Sequence, residues 1–302
     1  MKLLTLNTHS LQEEHYERKL EACAAVILQE QPDVIAMQEV NQSIDAPLAR
    51  AALLDGYVPC LSGHAAIRED NHAARIAIRE DNHAARIARR LRDGGLSYSW
   101  TWMPAKVGYG KYDEGMALFS LKEGIRSAES FYISGCTDYQ NWKTRRTLGI
   151  RTEGRADWFF TVHMGWWQDE QEPFAGQWKR LNDTLQQKKE EGARIWLMGD
   201  FNSPAQFRGQ GYDLIQADGW LDTYQLAEER DDGITVRGCI DGWRSFTENG
   251  QMPEGMRMDH IWCSSAAPIA RSQVIFNGSN GPVVSDHFGV LITAADPDSR
   301  HY

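Results

Sequence analysis

Seven short runs of apolar, β-branched or aromatic residues recur along the chain, at 3–6, 34–37, 116–119, 158–162, 195–198, 258–262 and 289–292. Runs of four or five residues are too short for buried helices and have the length of strands. Charged stretches with helical spacing lie between them, notably 13–29, which stops before Pro32, and 178–191. The pattern predicts helices flanking a sheet, an α+β chain. No Pro/Gly/Ser-rich linker or shift in composition divides the sequence, so one domain spanning 1–302 is expected, with long functional loops.

A chain of 302 residues has enough length for a sizeable core. Its 32 basic and 42 acidic residues give a formal charge of −10. An acidic surface repels a phosphate backbone unless a local patch or a metal reverses the field, which argues against a general nucleic-acid binder. Cys23, Cys60, Cys136, Cys239 and Cys263 show no CxxC spacing, and an odd number suits a reducing compartment. The opening Met-Lys-Leu-Leu-Thr-Leu-Asn is too short for a signal peptide, and no segment nears the 18 apolar residues of a membrane span. A cytoplasmic location with no membrane partner is expected. The sequon at Asn277 has no meaning in that compartment.

Residues 67–88 carry an 11-residue unit, Ile-Arg-Glu-Asp-Asn-His-Ala-Ala-Arg-Ile-Ala, twice without change. Eleven residues make about three helical turns, so a copy placed inside a helix lengthens it while rotating its apolar face by only roughly 20°. The alternatives are a bulging loop or, less economically, a recognition element carrying His72 and His83.

Polar residues close several of the apolar runs. Asp200 and Asn202 follow 194–198 in Met-Gly-Asp-Phe-Asn, two apart, so in extended geometry they share a face. A carboxylate there can orient a water while an amide steadies a phosphate oxygen; Gly199, Ser203 and Pro204 equally suit a plain turn. Asp286 and His287 follow 282–284 and supply a carboxylate beside an imidazole, which can donate to an oxygen gaining charge. Glu39 in Ala-Met-Gln-Glu-Val is a natural oxygen ligand for Mg²⁺, or else an ordinary surface acid. Asn7 and His163 each follow a run of their own. Five polar sites at strand ends point to a shared active site more than any one of them does.

The order Leu-Asn, Gln-Glu, His, Gly-Asp-Phe-Asn, Ser-Asp-His resembles the endonuclease/exonuclease/phosphatase superfamily over nearly the whole chain. The resemblance implies a four-layered α/β sandwich of the DNase I-like kind, with two mostly antiparallel (mixed) sheets face to face and helices outside. It also implies that Glu39 is the principal metal ligand, Asn7 a phosphate or metal contact and Asp286 a further metal-side carboxylate. Asp200 beside Asn202 would position the attacking water, and His163 and His287 would stabilise the phosphoryl group. Glu114, in Tyr-Asp-Glu-Gly-Met, would orient His163, and Asp259 would support His287. His260 stands beside Asp259 where many relatives carry Tyr or Arg. Mg²⁺ is the implied cofactor, with Mn²⁺ also fitting an oxygen-rich site.

The substrate must be read from the loops. Beside His163 runs Met-Gly-Trp-Trp-Gln-Asp-Glu-Gln-Glu, in which Trp166 and Trp167 can face a sugar ring and Asp169, Glu170 and Glu172 can bind hydroxyls. The alternative is that the tryptophans anchor the loop. Lys143, Arg145 and Arg146 are read as a solvated face or a phosphate contact, and His9 as a loop residue near the site or a plain surface histidine. The runs Leu-Asn-Thr-His-Ser, Gly-Tyr-Gly-Lys-Tyr-Asp-Glu-Gly, His-Met-Gly-Trp-Trp and Gly-Asp-Phe-Asn-Ser-Pro resemble the bacterial maltose 6'-phosphate phosphatase branch. That implies a phosphomonoester hydrolase whose partner is a small phosphorylated sugar, with no protein partner inferred. A nuclease or phosphodiesterase using the same residues, and a binding module that has lost activity, are the alternatives.

Overall fold

A computed structural model describes residues 1–60, 77–238, 240, 243 and 254–295. Its strands form two mixed sheets. The first holds β1 (Lys2–Asn7), β2 (Val34–Ser43), β3 (Ser99–Gly108), β4 (Tyr112–Ser120), β10 (Ala227–Arg230), β12 (Ile269–Ile275) and β13 (Gly289–Ala294), in the order β10-β12-β13-β1-β2-β4-β3. The second holds β5 (Ile125–Tyr132), β6 (Arg146–Thr152), β7 (Trp158–His163), β8 (Ile195–Asp200), β9 (Leu221–Asp222) and β11 (Asp259–Cys263), in the order β5-β6-β7-β8-β11-β9. β1 runs parallel to β2 and β7 parallel to β8; most other pairs are antiparallel.

Alternation along the strands builds the layers, because successive side chains point to opposite faces. Leu3, Val34, Ala36 and Leu118 of the first sheet meet Ile150, Phe159, Trp196, Met198 and Ile261 of the second in one buried cluster. The intervening Leu4, Leu6, Ile35 and Met37 face the other way, onto Leu20 and Ile27 of α1 (Tyr16–Glu30) and Ile87 and Leu91 of α2 (His83–Asp93). On the far side Phe160, Val162 and Leu197 pack against Phe174, Trp178, Leu181 and Leu185 of α3 (Phe174–Glu190) and Ile215 of α4 (Gly211–Ala217). The four-layered sandwich expected from the resemblance is therefore present.

The central strands carry apolar residues on both faces, which is why they read as unbroken runs. β3, β5, β6 and β12 were not legible that way, since Pro104 and Lys106 interrupt the first and charged residues dot the others. One glycine is dictated by close approach: a Cβ at Gly199 would stand 1.9 Å from the Val162 carbonyl oxygen on β7.

Only the second copy of the duplication, 78–88, lies wholly among the described residues, and His72 falls outside them. In this copy the helix and the loop readings each hold in part. Asn82, inside the unit, accepts a hydrogen bond from the Ala85 amide at 3.0 Å and starts α2 at His83. Residues 78–82 form a bridge and turn instead, with Arg79 paired to Leu48. Cys23, Cys60 and Cys263 are buried, Cys136 is half-buried, and no disulfide joins these described cysteines. Among the described residues no helix is long and apolar enough to cross a membrane.

Candidate active site

The strand register places the polar groups before any loop is considered. His163 ends β7, Asp200 ends β8 opposite it, and Asp259 opens β11 opposite Asp200, so three acid or imidazole side chains occupy one row across the second sheet. Asn7 ends β1 and is buried. Its Nδ2 donates to Glu39 Oε1 at 2.9 Å and to Asp200 Oδ2 at 3.2 Å, joining the two sheets.

Glu39 owes its position to an irregularity in β2. The pairing with β4 shifts register between Met37 and Val40, and Glu39 takes φ 52°, left-handed backbone that a non-glycine residue rarely adopts. The bulge turns its carboxylate into a cleft of about 340 Å³ lined also by His9, Lys106, Tyr109, Glu114, Trp142, Arg145, His163, Trp166, Asp200, Asn202, Ile240, Asp286 and His287.

Electrostatics separate the roles of these groups. Burial, then the charges of Glu114 and Asp286, push the Glu39 carboxyl up to about 7. Burial raises Asp200 to about 6, with Asp259 adding to the rise and His287 opposing it. His287 is the reverse case: burial disfavours its charged form, but Asp259 and Asp200 outweigh that and hold the imidazole well above its usual value. Its Nδ1 lies 2.9 Å from Asp259 Oδ2 and its Nε2 3.8 Å from Asp200 Oδ2. His163, whose Nε2 is 3.7 Å from Asp200 Oδ2, is kept neutral by burial and by the positive charges of Arg145, Lys106 and His287. One charged and one neutral imidazole thus flank a single carboxylate.

His9 sits at the rim. Burial alone would lower it, but its hydrogen bond with Glu13 at 2.8 Å and the charges of Asp286 and Glu39 raise it to about 9. Its Nε2 is 3.2 Å from the Tyr109 hydroxyl.

Several expectations need correction. Glu114 does not orient His163: its carboxylate pairs with Lys106 Nζ at 3.1 Å across the β3–β4 ladder. Asp200 and Asn202 do not share an extended face, because β8 ends at Asp200 and Asn202 turns to φ 45°. Asn202 still lines the cleft, with its amide donating to the Met164 carbonyl and accepting from Trp243 Nε1, both at 3.0 Å. Trp167 packs on Phe174 in the α3 core rather than facing the cleft, so only Trp166 of the pair lines it. Asp169 pairs with Lys143 and accepts the amides of Gln171 and Glu172, while Glu172 accepts the amides of Gly135 and Cys136. Those two acids build the loop, and Glu170 is exposed on it. Nor is 143–146 a solvated face, because Arg145 and Arg146 are buried.

Sequence reasoning missed Lys106, Tyr109 and Trp142. A lysine inside the apolar strand Ser99–Gly108 was the one available signal, since such a charge needs a partner. His260, the noted departure, lies away from the cleft in a nest of Phe201, Tyr212 and Trp262, its Nδ1 3.0 Å from Arg257 Nη1.

Comparison with known proteins agrees with this fold. The family model described as Endonuclease/Exonuclease/phosphatase family matches residues 4–287. A solved family protein from Leptotrichia buccalis C-1013-b is 31% identical, with a TM-score of 0.78 over 98% of this chain and 100% of that one. A mannosyl-6-phosphatase of Bacteroides thetaiotaomicron VPI-5482 shares the fold at 15% identity and a TM-score of 0.62, over 98% and 100% of the two chains. Truncated TDP2 of Caenorhabditis elegans shares it at 15% and 0.59, over 98% and 97%. No match was found among the curated proteins. Matched over nearly its full length, with a solved family protein 31% identical over 98% of it, the chain belongs to the endonuclease/exonuclease/phosphatase family.

Proposed function

We propose that the protein is a divalent-metal-dependent phosphomonoester hydrolase acting on a small sugar phosphate, with maltose 6'-phosphate as the first substrate to test. The observation that carries this reading is the convergence, in one cleft, of Asp200 with a charged and a neutral imidazole on one side and Glu39 on the other.

The donor set fits a divalent cation. Glu39, Glu114, Asp200 and Asp286 line one cleft, and the Glu39 carboxyl is raised by burial and by the charges of Glu114 and Asp286, a cost that a cation would relieve. Glu39, the Asn7 side-chain oxygen and Asp286 would hold it, and oxygen donors suit Mg²⁺ or Mn²⁺. Bound there, the ion would polarise the phosphoryl group and offset its charge.

The chain's own residues supply the rest. Asp200, once deprotonated, accepts a hydrogen bond from water and aligns it for in-line attack; Asn7 and the Asn202 amide fix its two oxygens. His287, held by Asp259 with Nε2 toward Asp200, donates to a phosphoryl oxygen as charge builds there. His163 offers a neutral N–H to the same group. No covalent enzyme intermediate is needed.

Two features favour a sugar over a polynucleotide. The net charge is −10, and the cationic side chains lining the cleft, Lys106, Arg145 and the histidines, stand among Glu39, Glu114, Asp200 and Asp286 rather than forming a basic strip. At its mouth Trp142 (54% exposed) and Tyr109 (47%) offer aromatic surface, with the Trp166 ring 5.7 Å from that of Trp142. Such faces suit the apolar side of a pyranose. The mannosyl-6-phosphatase that shares the fold is in keeping with this reading.

Phosphate release from maltose 6'-phosphate, trehalose 6-phosphate and glucose 6-phosphate, with Mg²⁺ and with chelator, tests the reading beside cleavage of plasmid and single-stranded DNA. Metal-dependent release from a sugar phosphate supports it. DNA cleavage without such release sinks it in favour of a nuclease.

A further inference from the structure

We propose that Arg145 makes the cleft selective for the dianionic phosphate of a monoester over the single charge of a diester, an inference that rests on the phosphatase reading above. Arg145 lines the cleft, yet its side chain is almost wholly withdrawn from water, at 3% exposure. A guanidinium in such a place needs its charge and its donors answered.

The protein answers them only in part. The hydrogen bonds of the side chain leave from Nη1, to the carbonyls of Trp142 at 2.9 Å and Thr144 at 3.4 Å. Nε is buried with no partner. Among the described residues no carboxylate lies within ion-pairing distance of it. Its neighbours differ: Lys106, equally buried, is paired with Glu114 at 3.1 Å, and Lys143 with Asp169 at 2.8 Å. The Trp166 ring, 5.8 Å from the guanidinium carbon, holds one face of the fork in place.

The site of action follows from what the charge reaches. Burial disfavours the charge of Arg145, which Glu114, Glu39 and Asp200 offset only in part, and Arg145 lines the same cleft as those three and His163. The fork therefore stands by the place where the phosphoryl group is held. A guanidinium matches two oxygens of a phosphate at once. A monoester presents three unesterified oxygens and close to two charges; a diester has one charge and only two such oxygens. An unpaired buried cation gains most from the first.

The test uses the full chain with Mg²⁺ and compares p-nitrophenyl phosphate with methyl p-nitrophenyl phosphate. The parent should prefer the monoester, and Arg145→Gln should lower the ratio of the two kcat/KM values by about 30-fold and weaken inhibition by inorganic phosphate by about 10-fold or more. Arg145→Lys keeps the charge and the stem but not the fork, and should lose roughly 5-fold of the ratio; it also serves if the Gln variant fails to fold. A parent that prefers the monoester and folded variants that keep its ratio overturn the inference alone. A parent that cleaves only the diester overturns the phosphatase reading, and the inference with it.

Discussion

Asp200 is the residue on which most of the site depends, and its environment sets what a substitution should do. Its Oδ1 accepts the Asn202 backbone amide at 2.8 Å and its Oδ2 the Asn7 side-chain amide; an asparagine keeps an acceptor for the first and loses the second, at a cost of about 1 kcal/mol, while removing a buried charge. Asp200→Asn should therefore melt within about 5 °C of the parent while turnover falls by about 10²–10⁴-fold, the usual contribution of a positioned base. Near-parental turnover would remove Asp200 from the mechanism. Glu39 gives a second prediction, of opposite sign for stability. A carboxyl raised from 4.5 to about 7 by folding destabilises the native state above pH 7, and that cost fades as pH falls toward 4.5. In chelator at pH 8, Glu39→Gln should be more stable than the parent by roughly 1–3 kcal/mol, and Mg²⁺ should raise the melting temperature of the parent alone. Equal responses of both proteins to Mg²⁺ would show that Glu39 does not hold the ion.

The helix α2 carries a pH dependence of its own. His83 is buried at its first turn, 3.0 Å from the Tyr16 hydroxyl, and burial together with Arg86 and Arg90 lowers it to about 3. Between pH 6.5 and 3 the unfolded chain binds a proton that the folded chain refuses, so stability drops as pH falls through that window. By pH 4.5 the loss should reach about 2–3 kcal/mol, and His83→Gln should show a shallower decline in chemical denaturation; parallel curves would exclude His83 as the source. The same scale shows what the sequence made legible. Asn7, His163 and Asp200 could be found because each ends a strand apolar on both faces, where a polar residue stands out. Glu39 was found by motif, but the bulge that aims it was not, since a register shift leaves no mark in composition. Arg145 and Trp142 could not be placed, because their loop takes its shape from Asp138, Asn141 and Thr144 contacts made only after folding.

At the scale of the molecule, the site exists only where the two sheets are in register with each other. Asn7 and Glu39 belong to one and His163, Asp200 and Asp259 to the other. Activity should therefore vanish together with far-UV ellipticity on heating, the two midpoints agreeing within about 2 °C, because a slip between the sheets parts these groups. Loss of activity well below the ellipticity transition would mean that the cleft melts by itself.

The position of β1 carries a consequence for synthesis. It lies between β2 and β13, so one whole edge of this strand waits for residues 289–294, more than 280 positions later. Until they emerge, β1 presents an open row of amides and carbonyls, an invitation to the wrong neighbour. Chaperone dependence of the nascent protein should thus be greatest just before His287 and β13 appear, and the covering of that edge and the completion of the cleft come at the same moment.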